Sequence, residues 1–152
     1  MKEKFRNAYM KVAETFAELS SARRLHVGAI IVKDDRIISI GYNGMPSGWD
    51  NDCENLVVYR KEIQPGVFSN EHVHEWKTKP EVLHAETNAI AKLAKSTESG
   101  LGASLFVTHA PCLDCAKLVY QSGINTVYYR NTYRSEDGLQ FLQKAGVKVN
   151  KI

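Results

Sequence analysis

Apolar residues over 3–19 fall at Phe5, Tyr9, Val12, Ala13, Phe16 and Leu19, the spacing of a helix with one buried face. The pattern then changes. "VGAIIV" (27–32) is a short continuous apolar run, and "RIISIGY" (36–42) follows after "KDD". Together they predict two strands joined by a tight turn at Asp34–Asp35. "NGMPSGWDND" (43–52) is dense in turn formers and predicts an irregular loop. Residues 53–83 keep no clear period. "VVYRKEI" suits a strand or a helix, and "QPGVFSNEHVHEWKTKP" reads as a long excursion. Excursions of that length in compact domains often serve function.

Order returns at residue 84. "HAETNAIAKLAKS" predicts a helix with Ala85, Ala89, Ile90 and Leu93 on one side, and "ASLFVTH" (103–109) a strand. Pro111 opens a helix over about Cys112–Gln121, which Gly123 ends. "NTVYYR" (125–130) predicts a strand, "SEDGLQFLQKA" (135–145) a helix closed by Gly146, and "VKVNKI" the last strand. Alternation of strand and helix in this half predicts parallel pairing with helices on the sheet faces. The fold expected is one α/β domain over residues 1–152, three layers α/β/α around a mixed five-stranded sheet.

Composition narrows the class. Hydrophobic content of 43% and charged content of 24% are those of a soluble globular protein. The net charge of +3 comes without a long Lys/Arg run, so it does not favour nucleic acid over a small anionic ligand. No apolar stretch approaches membrane-spanning length, and "MKEKFRNAYM" lacks the apolar centre of a signal peptide. A cytoplasmic protein without membrane partners is expected. Three cysteines, Cys53, Cys112 and Cys115, are too few for a disulfide framework, which makes metal or redox chemistry the better reading of the close pair.

"PCLDC" puts Cys112 and Cys115 three apart in the first turn of a helix, neighbours on one face. A helix N-terminus also favours the thiolates that bind metal. His84 and Glu86, in "HAETNAI", stand at another helix start, where the first residue can point along the axis while Glu86 leans in from the first turn. Parallel strand–helix units bring such starts to one sheet edge. Three N/S ligands leave a fourth tetrahedral position for water, the mark of catalytic zinc, and zinc lowers the pKa of that water to about 7. Glu86, a carboxylate outside the ligand set, can then carry protons. Two other readings are a redox Cys-x-x-Cys pair and a structural zinc completed by Cys53, His72 or His74. Against redox stands the absence of a thioredoxin-like leading strand with its aromatic residue. The whole pattern, His-x-Glu followed by Pro-Cys-x-x-Cys, is the known signature of zinc deaminases.

With these residues in place, the chain resembles the cytidine/deoxycytidylate deaminase superfamily, and within it the deoxycytidylate branch. The matching stretches are "VGAIIVKDDRIISIGYNGMPSG" (27–48), "HAETNAI" (84–90) and "GASLFVTHAPCLDCAKLVYQSGINTVYY" (102–129), in the family's order. The resemblance implies zinc-dependent hydrolysis of dCMP to dUMP and ammonia, supplying the precursor for thymidylate synthesis. It implies one zinc on His84, Cys112 and Cys115, with Glu86 passing protons to the pyrimidine and its leaving amine. It implies Asn43 at the sugar hydroxyl, and the Ala85 amide with the backbone around Thr108–Ala110 at the pyrimidine edge. In related enzymes the segment before "VGA" carries a basic residue toward the phosphate. Arg24 in "SSARRLH" is the first choice, with Arg23 or His26 in reserve. Against this, both arginines also read as solvated helix-end charges. Tyr133 and Arg134 could close over the sugar-phosphate.

The resemblance further implies a homohexamer activated by dCTP and inhibited by dTTP. Gly44, Trp49 and Asp50 would then contact the effector, with Mg2+ on its triphosphate. Some relatives hold a second zinc, but the corresponding positions here are Ala22 and Val82. His109 before "APC" departs from the usual pattern and reads as a pocket wall. The competing functions are a zinc deaminase of another base (a tRNA base, a riboflavin precursor or guanine) and a non-catalytic structural zinc module.

Overall fold

The computed structural model describes residues 1–152. The elements in chain order are α1 (Glu3–Ala17), β1 (Gly28–Lys33), β2 (Arg36–Tyr42), β3 (Glu54–Gln64), β4 (Val67–Thr78), α2 (Ala85–Ala94), β5 (Ser104–His109), α3 (Leu113–Gln121), β6 (Thr126–Asn131), α4 (Asp137–Lys144) and β7 (Lys148–Lys151). Five strands form one mixed sheet in the order β2-β1-β5-β6-β7. β1 runs antiparallel to both β2 and β5, while β5, β6 and β7 are parallel. The β1–β2 turn holds Asp34 and Asp35 at φ 49° and 55°, the left-handed pair of a type I′ hairpin that Asp tolerates.

Strand alternation divides the core in two. Ala29, Ile31, Leu105, Val107 and Val127 pack with Ala89, Val119 and Leu142 of α2, α3 and α4. Ile30, Val32, Phe106 and Tyr128 turn to the other face and meet Met10 and Ala13 of α1. Side chains of successive strand residues point to opposite faces, so continuous apolar runs such as "GAIIV" are what a sheet covered on both sides requires. The layers are thus one helix, the sheet and three helices, as the sequence pattern predicts. No helix is long and apolar enough to cross a membrane.

Residues 53–83 supply what periodicity does not reveal. β3 and β4 pair only with each other and form a separate two-stranded arm. Pro65 and Gly66 make its turn, with Gly66 at φ 76°, as a type II turn demands. "VVYRKEI" is therefore strand, and the excursion is regular structure. Most of the arm is exposed on both faces, so no apolar alternation was required of it. Its base is different. Glu54 is buried, and the Lys79 amide donates to the Cys53 carbonyl at 2.9 Å.

Candidate active site

α2 is seated by a close approach. A Cβ on Gly41 of β2 would lie 2.1 Å from the Ala85 carbonyl oxygen, so only glycine lets the first turn of α2 rest there. Ser39 donates through Oγ to the Ala89 carbonyl at 2.6 Å, and Asn88 through Nδ2 to the Tyr42 carbonyl at 2.8 Å. His84 precedes the helix as its extended N-cap, at φ −75° and ψ 156°. Cys112 does the same for α3, its sulfur accepting the Cys115 amide at 3.5 Å. Two ligands stand just before helix starts, and the third, Cys115, is buried in the first turn of α3.

The three ligand atoms, His84 Nδ1, Cys112 Sγ and Cys115 Sγ, lie within 4.8 Å of one another. Nδ1 is 3.6 Å from Cys112 Sγ and 3.3 Å from Cys115 Sγ. Zinc bonds of usual length at tetrahedral angles place such N and S atoms about 3.6 Å apart. The donor set, one imidazole and two sulfurs, fits zinc in both chemistry and spacing. Cys53, His72 and His74 stand apart from the group. Cys53 Sγ is 3.7 Å from Ser21 Oγ, while His72 and His74 lie on β4 opposite Arg60 and Val58.

Glu86 is 3% exposed and lines the same cavity as His84 and Cys112. Burial pushes its carboxyl up to about 7. The hydrogen bond with Cys115, then that with His84, holds the Cys112 thiol down at about 4. The Cys115 thiol is pushed up by its hydrogen bond to Cys112 and by burial, and Thr87 Oγ1 lies 3.6 Å from its sulfur. The contact with Cys112 raises the His84 imidazole. The trio thus forms one coupled proton network with Cys112 as its most readily ionised member.

The cavity measures about 550 Å³. Among the residues singled out from sequence, it is lined by Ala22, Arg24, Asn43, Val82, His84, Ala85, Glu86, His109, Ala110, Cys112, Tyr133 and Arg134. Ala85 is the first helical residue, so its amide has no intrahelical acceptor. The Asn43 amide group is partly engaged: Oδ1 accepts the Val27 amide and Nδ2 donates to the Leu25 carbonyl, both at 2.8 Å. One lone pair and one proton remain on it. Burial lowers the His109 pKa, keeping its imidazole neutral at the wall.

Other expectations land elsewhere. Thr108 does not line the cavity. Its hydroxyl accepts the Gly28 amide at 3.2 Å, and its carbonyl takes the Asn131 Nδ2–H at 3.0 Å, so it braces the sheet behind the wall. Gly44, Trp49 and Asp50 are also outside the lining. Gly44 bridges to Leu83, Trp49 is exposed, and Asp50 accepts the Asp52 amide. His26 bonds the Ala22 carbonyl at 2.7 Å, and Arg23 turns to Asp52. Of the three basic candidates before "VGA", only Arg24 lines the cavity.

Sequence reasoning missed Glu54 and Thr78, which line the cavity from the base of the arm, and Thr132 beside Tyr133. An arm without a legible period offers no signal for its buried base. The acidic residue next to Cys53 was the only hint in the chain.

A family model described as "Cytidine and deoxycytidylate deaminase zinc-binding region" matches residues 3–131. The deoxycytidylate deaminase of Enterobacteria phage T4 is 36% identical over 92% of this chain and 86% of its own. ComE operon protein 2 of Bacillus subtilis is 34% identical over 95% of this chain and 69% of its own. The crystal structure of the dCMP deaminase of cyanophage S-TIM5 with dCMP and dUMP covers 100% of this chain and 99% of that one. It superposes with a TM-score of 0.83 at 46% identity. With its His-Cys-Cys group and buried glutamate in place, the chain belongs to the cytidine and deoxycytidylate deaminase family.

Proposed function

We propose that this chain is a hydrolase that converts dCMP and water to dUMP and ammonia. The observation that carries the reading is a single cavity of about 550 Å³ that holds the metal-binding group, Glu86 and two arginines, Arg24 and Arg134. That volume suits a small ligand, and the arginines suit a phosphate. The named activities of the T4 and S-TIM5 relatives support the same substrate.

His84, Cys112 and Cys115 would hold zinc, which when bound supplies a water acidic enough to attack at neutral pH. Glu86 takes the proton of the attacking water and delivers it to N3 of the cytosine as the C4–O bond forms. It then carries the remaining proton of the new C4 hydroxyl to the amine, so that the C4 carbonyl forms as the C4–N bond breaks and ammonia leaves. Burial pushes the Glu86 carboxyl up in the metal-free chain, the direction that helps a carboxylate accept and return a proton. The free Ala85 amide and the Ala110 backbone hold the pyrimidine edge. Asn43 offers its remaining lone pair and proton to the sugar hydroxyl. Arg24, Arg134 and Tyr133 take the phosphate.

Ammonia release from dCMP, dCTP, deoxycytidine and a tRNA tests the reading. Preferential turnover of dCMP is expected, and faster turnover of tRNA or deoxycytidine would replace it.

Assembly and control follow the same family logic. The arm exposes Leu56, Val58 and Trp76, although a lone two-stranded hairpin is marginal in water. Association of several copies, six by family resemblance, through this arm accounts for both. Control by dCTP and dTTP with Mg2+ at the 43–52 loop is tested by titrating each into the dCMP assay, where flat responses would remove it. We place the enzyme in the cytoplasm, in keeping with its free cysteines.

A further inference from the structure

Glu54 is a carboxylate that the reaction does not use, and it lies in the cavity wall with its side chain fully buried. Its Oε1 accepts two successive backbone amides, Arg23 at 2.8 Å and Arg24 at 3.2 Å. The two arginine side chains diverge from that grip. Arg23 leaves toward Asp52 and stacks its guanidinium 4.6 Å from the Trp76 ring centroid. Arg24 lines the cavity, and its guanidinium donates to Thr78 Oγ1 at 3.4 Å. Glu54 Oε2 has no hydrogen-bond partner, and the Arg23 guanidinium lies 3.7 Å away.

Burying a carboxylate with one oxygen unbonded is costly, and a staple for two amides needs only a neutral acceptor. A negative charge is useful where two adjacent arginines must share one short segment before any phosphate arrives. We propose that Glu54 is a positioning residue for nucleotide selectivity: it fixes the Arg23–Arg24 peptide so that the Arg24 guanidinium faces the cavity while Arg23 is turned out to the arm. The inference rests on the reading of the cavity as a dCMP site. It makes the base of the arm, β3 and β4, part of the phosphate end of that site.

The test compares steady-state kinetics on dCMP and on deoxycytidine, which lacks the phosphate, for zinc-loaded wild type, Glu54→Ala and Glu54→Gln. Glu54→Ala should raise KM for dCMP about tenfold with kcat little changed, and leave deoxycytidine turnover unaltered. Glu54→Gln, which keeps size and an acceptor but loses the charge, should show a smaller rise on dCMP alone. It carries the test by itself if the alanine variant does not fold. In an Arg24→Ala background, either substitution should change KM no further. An equal loss on both substrates would make Glu54 a structural staple only and overturn the proposal, as would unchanged dCMP selectivity. A wild type that does not distinguish dCMP from deoxycytidine would overturn the dCMP reading itself, and this inference with it.

Discussion

The candidate metal ligands stand on helix starts fixed by the core, whereas Arg24, Glu54 and Thr78 stand on a loop and an arm base joined by polar contacts. His84 and Cys112 are N-caps, and their helices press against the sheet through fully buried Ala89, Ala116 and Val119. The Arg24 segment depends on hydrogen bonds from the Arg23 and Arg24 amides to Glu54 and on one from the Arg24 guanidinium to Thr78. Chemistry that must be held to a fraction of an ångström rests on close packing. The proposed recognition of a charged group, which tolerates more freedom, would rest on bonds that can be adjusted one residue at a time.

Removing a ligand breaks the first group outright. Cys115→Ala should abolish zinc retention and dCMP turnover together, measured by metal analysis alongside ammonia release. The next effect is on stability. In zinc-stripped protein, Glu86 has a folded-state pKa of about 7 against an ordinary 4.5. The folded state therefore binds more protons between those values, and stability falls as pH rises through that window. Glu86→Gln removes this slope. It should stabilise the zinc-stripped chain by up to about 3 kcal/mol at pH 8 and hardly at all near pH 4, read by urea unfolding.

The second group should yield a smaller, selective effect. Arg24→Ala should raise KM for dCMP roughly 10- to 100-fold while kcat stays near wild type, as loss of one charge-assisted hydrogen bond implies. An equal fall in kcat would show that the two groups are not separable. The smallest effect on chemistry belongs to the arm. Leu56→Ser with Trp76→Ser should weaken association of copies in sedimentation while leaving kcat on dCMP within about twofold, since neither residue lines the cavity.

The same contrast explains what could be read from the chain. β1, β5 and β6 are covered on both faces, so their runs of apolar residues announce a buried sheet. The N-cap positions of His84 and Cys112 follow from where two helical periods begin. The grouping of His84, Cys112 and Cys115 with Glu86 was legible because closely spaced residues at a helix start share a direction in space. Glu54 and Thr78 were not, because they reach the cavity through an arm whose exposed faces impose no pattern. Thr108 misled for a related reason. It sits in the sequence beside His109, which lines the cavity, but strand alternation and its bonds to Gly28 and Asn131 turn it into the sheet.

The central claim is that Glu86 moves protons at a metal site that His84, Cys112 and Cys115 hold without it. It is tested most directly by measuring zinc content and ammonia release from dCMP in the same preparation of Glu86→Gln. Full zinc occupancy with turnover reduced roughly 10²- to 10⁴-fold is the predicted result. Turnover near wild type at full zinc occupancy would contradict it.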